Sequence, residues 1–235
     1  MIFNSKRNFV YVILAGIFIT NAIVAEMIGG KIIQIGPFIM SIGILPWPVV
    51  FITTDLINEY FGKSGVRKLS LITASLIAYV FIVLFCAMHM NAASFSTVSN
   101  DQFQAVFGQS MWIIVGSLVA FLTSQLVDVF VFWALREKTG GKFLWLRSTG
   151  STVISQLVDT FIVEGIAFWL PGKMTTSVYI NSSLTGYTFK LIIAVLLTPL
   201  IYFGHNLIEK YIGHDESEKM IKTTAQESLH HKVLD

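Results

Sequence analysis

Apolar and polar positions fall in long blocks along this chain rather than at the short periods of a water-soluble fold. Six stretches, roughly 9–27, 38–57, 69–88, 112–135, 149–170 and 187–207, are almost wholly apolar. Each is close to the ~20 residues that a helix needs to cross a bilayer. Glycine-rich or polar turns separate them: Gly29-Gly30-Lys31 onward to Pro37, Gly62-Lys63-Ser64-Gly65, a longer segment from Asn91 to Ser110 with Asn100-Asp101 as a cap, Glu137 to Lys142, and Pro171-Gly172. The pattern predicts an all-α polytopic membrane protein, with a single six-helix transmembrane domain over 1–210. A polar, mobile cytoplasmic tail follows over 211–235. Pro46 and Pro48 fall inside the second stretch, where they predict either a simple kink or, with Gly43 nearby, a helix broken beside a cavity.

Composition agrees. The chain is 54% hydrophobic and only 13% charged over 235 residues, with a mean hydropathy of +0.70. Soluble domains carry roughly 25% charged residues. Basic residues set the orientation, because cytoplasmic loops retain Lys and Arg. With the N-terminus inside, Lys6, Arg7, Lys63, Arg67, Lys68, Arg136, Lys138, Lys142, Arg147 and Lys210 all fall on the cytoplasmic side, and Lys219, Lys222 and Lys232 follow in the tail. Only Lys31 and Lys173 fall outside, so N-in, C-in is the expectation. The net charge of +2 is that same signal and does not point to nucleic acid. The first stretch is too long for a signal-peptide core and lacks a small-residue cleavage site, so it is read as a span.

The single cysteine, Cys86, excludes an intrachain disulfide. The chain has no C-x-x-C, H-E-x-x-H, P-loop or G-x-S-x-G pattern, so neither an enzyme nor a metal or cofactor site is expected. His230-His231 reads as solvated tail, and Asn181-Ser182-Ser183 matches a glycosylation acceptor by spelling only.

What remains is acidic. Glu26, Asp55, Glu59, Asp128, Asp159 and Glu164 lie within or at the edge of spans. An aspartate at the centre of a spanning helix costs roughly 2.5–3.5 kcal/mol on insertion scales. Such residues face a partner or a cavity and are functional candidates by default. At 1.5 Å per residue, Asp55 lies about 12 Å from Lys63, Asp128 about 12 Å from Arg136, and Asp159 roughly 18 Å from Arg147. Three carboxylates on three helices therefore reach one layer near the midplane.

Two of them close a repeated pentapeptide, Ser124-Gln125-Leu126-Val127-Asp128 and Ser155-Gln156-Leu157-Val158-Asp159. Gln and Asp at i, i+3 share a helix face, and a short loop makes the two helices antiparallel neighbours. Asp55, Asn58 and Glu59 share a face of the second helix. One reading makes these groups interhelical glue, and the other makes them a binding pocket. Three ionisable groups at one depth favour the pocket. Lys190 either snorkels outward or pairs with Glu26 or Glu164.

The run Thr54-Asp55-Leu56-Ile57-Asn58-Glu59-Tyr60-Phe61-Gly62-Lys63 resembles a signature of the queuosine precursor transporter family, also called vitamin uptake transporters. A second resemblance extends from Ser124 to Phe168 and includes Trp145-Leu146-Arg147 and Ser151-Thr152. Glu164 stands where that resemblance leads one to expect an aromatic or aliphatic residue. The likeness covers most of residues 9 to 210. It implies a bacterial inner-membrane importer of cyano- and aminomethyl-deazaguanine bases. The implied fold resembles the substrate-binding components of energy-coupling-factor vitamin transporters. The first helix has no A-x-x-x-A stripe, since Ala15, Ala22 and Ala25 fall at other spacings, and this favours action without an ATPase partner.

A carboxylate accepts the paired N–H groups of a guanine-like edge, and an amide can donate to its carbonyl. The candidate binding residues are thus Asp128, Gln125, Asp159, Gln156, Ser155 and Asn21, with either aspartate taking the edge. Asp55, Asn58, Glu59, Arg147 and Lys190 are candidates for gating or proton coupling. Expected partners are a purine-like base, the lipid bilayer and at most a second copy of the chain. Two inverted three-helix repeats would make Asp55 and Asp159 counterparts. Another small vitamin as cargo, or a binding subunit driven by an ATPase, are the competing readings.

Overall fold

A computed structural model of the chain describes residues 5–36, 38–108, 111–140 and 142–230. Helix α1 (Lys6–Ile28) starts at Ser5, whose hydroxyl accepts from the Asn8 amide. An antiparallel hairpin follows, β1 (Ile32–Ile35) with β2 (Phe38–Ser41), in the register Ile32 to Ser41 and Ile35 to Phe38. A single 3-10 turn, Ile42–Ile44, leads into α2 (Trp47–Met88). Then come α3 (Asn100–Phe107), α4 (Met111–Thr139), α5 (Leu144–Glu164) with a π-helical extension Gly165–Trp169, α6 (Thr176–Ile212) and α7 (His214–His230).

Among the described residues, five helices are long and apolar enough to cross a membrane. The inside-out arrangement of side chains says the same. Phe130, Leu196, Ile82 and Phe203 stand 60–70% exposed, whereas Asp55, Asn58, Glu59, Arg147 and Ser151 are at most 3% exposed. Water as the outer solvent would favour the reverse. The protein is therefore a multi-pass, predominantly helical membrane protein.

Several expectations change. Residues 38–44, predicted to open the second span, form β2 and the 3-10 turn instead, so the architecture is not purely helical. Pro46 and Pro48 do not kink or break a helix. They occupy the cap and first turn of α2, where a missing N–H costs nothing. The second and third predicted spans join as one continuous element interrupted only at Gly62 (φ 74°, ψ −177°). That conformation belongs almost exclusively to glycine. A 42-residue straight helix would run about 63 Å, twice the hydrocarbon thickness, so a break is required. Asn181-Ser182-Ser183 lies within α6.

The end of the chain differs most. Residues 214–230 are not a loose tail but the helix α7, packed on α2 with Ser217, Met220 and Thr224 buried. Thr224 Oγ1 donates to the Tyr60 carbonyl (3.2 Å), a group that the break at Gly62 exposes. A Cβ on Gly62 would lie 2.8 Å from the Thr224 methyl. Lys232 and His231 lie outside the described residues, as do Pro37, Ser110 and Gly141.

Candidate functional site

The repeated pentapeptide has a geometric purpose. On antiparallel helices α4 and α5, the serine of each copy donates to the aspartate of the other. Ser155 Oγ reaches Asp128 Oδ1 at 3.1 Å, and Ser124 Oγ reaches Asp159 Oδ1 at 3.4 Å. One sequence used twice produces a local two-fold, with donor and acceptor exchanged across the helix seam. Gln125 and Gln156 flank the exchange, each 5% exposed.

The symmetry stops there. Asp159 Oδ2 receives Lys190 Nζ from α6 at 2.8 Å, and the same ammonium bonds Thr160 Oγ1 at 3.1 Å. Lys190 thus neither snorkels nor takes Glu26 or Glu164 as its hydrogen-bonded partner. A half-buried carboxylate within reach of its stem holds it instead. Glu26 interacts with Ser117 and feels the charges of Asp159 and Lys190. Glu164 accepts from Ser183 at 3.1 Å, just before the π-helical turn. Among the described residues no cation pairs with Asp128, whose carboxylate interacts with the Ser151 and Ser155 hydroxyls. Its Oδ2 is buried without a hydrogen-bond partner, as is Oε1 of Gln125.

Asp55, from α2, accepts a short hydrogen bond from Ser148 of α5 and interacts electrostatically with Asp128 and Arg147. Its Oδ1 has no hydrogen-bond partner. One turn on, Glu59 is clamped by Arg147 Nη2 (2.6 Å) and Arg136 Nη1 (3.6 Å), all three side chains at most 7% exposed. Arg136 also donates to the Ile221 carbonyl of α7 at 3.0 Å. A buried charge is tolerated when paired in this way. Asp55, Ser148 and Thr152 form the polar end of a cleft whose apolar wall is Phe51, Ile52 and Leu197. The cleft has room for little more than one water molecule.

Of the residues expected from sequence, Asp128, Asp159 and Ser155 are joined by hydrogen bonds at the α4–α5 seam, with Gln125 and Gln156 buried beside them. Asp55, Asn58, Glu59 and Arg147 form the adjoining layer, and Lys190 closes the other end. Asn21 is not joined to them by any hydrogen bond, since its amide donates to the Ile17 carbonyl of its own helix at 2.8 Å. Sequence reasoning missed Ser124, Ser148 and Thr152 as site residues, and Arg136 as the second cation on Glu59. The signal was present in α5: Ser148, Ser151, Thr152, Ser155 and Asp159 recur at helical spacing as one polar stripe. Among the described residues, no group of three or more His, Cys, Asp or Glu side chains could hold a metal ion.

Residues 41–204 match the family described as "Putative vitamin uptake transporter". The chain is similar to the "Probable queuosine precursor transporter" of Bacillus subtilis (strain 168), 30% identical over 76% of this chain and 77% of that one. The "Queuosine precursor transporter" of Escherichia coli (strain K12) is 29% identical over 75% and 77% of the two chains. A "Probable queuosine precursor transporter" of Haemophilus influenzae is 31% identical over 66% and 63%. No solved structure matches.

Proposed function

The chain belongs to the vitamin uptake transporter family, and from that premise we propose that it imports queuosine precursors, deazaguanine bases, across a bacterial inner membrane. Its relatives carry transporter names, and it is a transporter rather than an enzyme. In this reading α2 crosses twice, once on each side of Gly62, giving six crossings with both termini in the cytoplasm. The Lys and Arg distribution supports that orientation.

The observation that carries the substrate reading is the unequal state of the two repeated aspartates. Asp159 is neutralised by Lys190, whereas Asp128 keeps a buried, unpartnered oxygen beside the unpartnered Gln125 carbonyl oxygen. A guanine-like base supplies the adjacent N–H donors that Asp128 lacks. Hydrogen-bond sites of this kind reject cargo that leaves their polar groups unpaired. Asp159 then acts with Lys190 as a fixed ion pair behind the site, and Gln156 as its neighbour. Glu59, Arg136 and Arg147 form an ionic gate at the Gly62 end of the bundle, which must open for the base to leave.

The test uses bacteria that can neither make nor import queuosine precursors. Expression of this chain with nanomolar cyano-deazaguanine should restore queuosine in tRNA, and Asp128→Asn should abolish the restoration. If membrane-inserted wild-type protein restores nothing, the cargo is wrong. If Asp128→Asn restores fully, the cargo stands and the site lies elsewhere.

A further inference from the structure

Asn58 is the least explained polar side chain in the bundle. It is fully buried, and neither Oδ1 nor Nδ2 has a hydrogen-bond partner. Its neighbours on the same face of α2 are already engaged: Asp55 accepts from Ser148, and Glu59 is held by two arginines. Burying an amide without partners is costly, and an apolar residue of the same shape would stabilise the fold or leave it unchanged. The orphaned pair also has a particular chemistry, one donor and one acceptor side by side.

We infer that Asn58 is a specificity residue that reads the N3/N9–H edge of the imported base, accepting from the N–H of the five-membered ring and donating to N3 of the six-membered ring. This rests on the import of a guanine-like base. Once a carboxylate has taken the N1–H and exocyclic amine edge, the bonding positions left are the carbonyl, the 7-substituent, the second amine hydrogen, N3 and N9–H. A contact to the carbonyl alone would satisfy Nδ2 and leave Oδ1 unpaired. The N3/N9–H edge satisfies both atoms, in the same way that an amide reads an adenine edge bidentately in nucleic acids, and it differs from the other such edge, N3 with the second amine hydrogen, in being destroyed by substitution at N9. The N9–H exists only in the free base, because in a nucleoside that nitrogen carries the sugar. Asn58 therefore admits the base and excludes its nucleoside.

The experiment measures equilibrium binding of 7-cyano-7-deazaguanine and its 9-methyl derivative to the full chain in lipid nanodiscs, for wild type and Asn58→Leu. Wild type should bind the parent base and disfavour the 9-methyl derivative by at least roughly tenfold. Asn58→Leu should bind the parent roughly ten- to hundredfold more weakly and lose the discrimination. It should also melt no lower than wild type, a combination that a merely structural asparagine would not give. Equal wild-type affinity for the two compounds overturns the inference without recourse to any variant. So does an Asn58→Leu protein that binds the parent as wild type does, the result expected if the amide is satisfied by trapped water. Wild-type protein that binds neither compound would overturn the base-import reading and this inference with it, whereas the preceding results would overturn the inference alone.

Discussion

Asp128 and Asp159 end the same five residues on two helices that lie side by side, and each takes a hydrogen bond from the other's serine. Beyond that bond they part. A third helix brings Lys190 to one of them and nothing charged to the other. A local motif can thus fix where a carboxylate sits and which hydroxyl it meets. Its charge state and availability are set by elements distant in sequence. Repetition places two acids side by side, and α6 then supplies a cation to one and none to the other.

The comparison can be broken from either side. Lys190→Met should have the largest effect, because it leaves the half-buried Asp159 without its ammonium. A loss of about 1.5–3 kcal/mol in stability is expected, the range for a hydrogen bond to a charged group, read as a lower thermal midpoint in nanodiscs. The double substitution Lys190→Met with Asp159→Asn should recover most of that loss. If the double variant is no better than the single one, the pair is not what holds α5 to α6.

Asp128→Asn should do the opposite. It should leave the midpoint unchanged or raised, while lowering uptake of the base in proteoliposomes roughly ten- to hundredfold. Equal effects of the two aspartate substitutions on stability would erase the distinction drawn here. The serines give a finer test. Ser155→Ala and Ser124→Ala each remove one hydrogen bond worth about 0.5–1.5 kcal/mol. Ser155→Ala should impair uptake more, since Asp159 keeps its ammonium when Ser124 is gone.

The smallest effect serves as a control. His214, at the start of α7, is hydrogen-bonded to Glu209, and this raises its pKa above the ordinary histidine value. The contribution of that pair is full below pH ~6.5 and fades as pH rises through the raised pKa. His214→Ala should remove this weak dependence of the thermal midpoint on pH. It should leave the pH profile of uptake unchanged.

Much of this site was legible in the residues. The apolar blocks located the helices, and the pentapeptide and the 1.5 Å rise placed three aspartates in one layer. Lys190 was not legible as the partner of Asp159, because the rotational phase of α6 against α5 is decided by packing over the whole helix. The hairpin at 32–41 was hidden by composition, since a short run rich in Ile reads equally as strand or helix. Polarity hid α7 in turn, although Ser217, Met220, Ile221 and Thr224 recur at helical spacing on its docked face.

The docking of α7 also bears on how the protein is made. Every long apolar helix precedes it, so the membrane-embedded part can insert while the donor for the Tyr60 carbonyl is still unsynthesised. The Gly62 elbow and the Arg136 guanidinium stay uncovered until α7 has been made. A stop codon just before α7 would therefore yield a chain that keeps every long apolar helix yet leaves that elbow bare, a mark by which proteolytic surveillance could tell such truncated copies from those that carry α7.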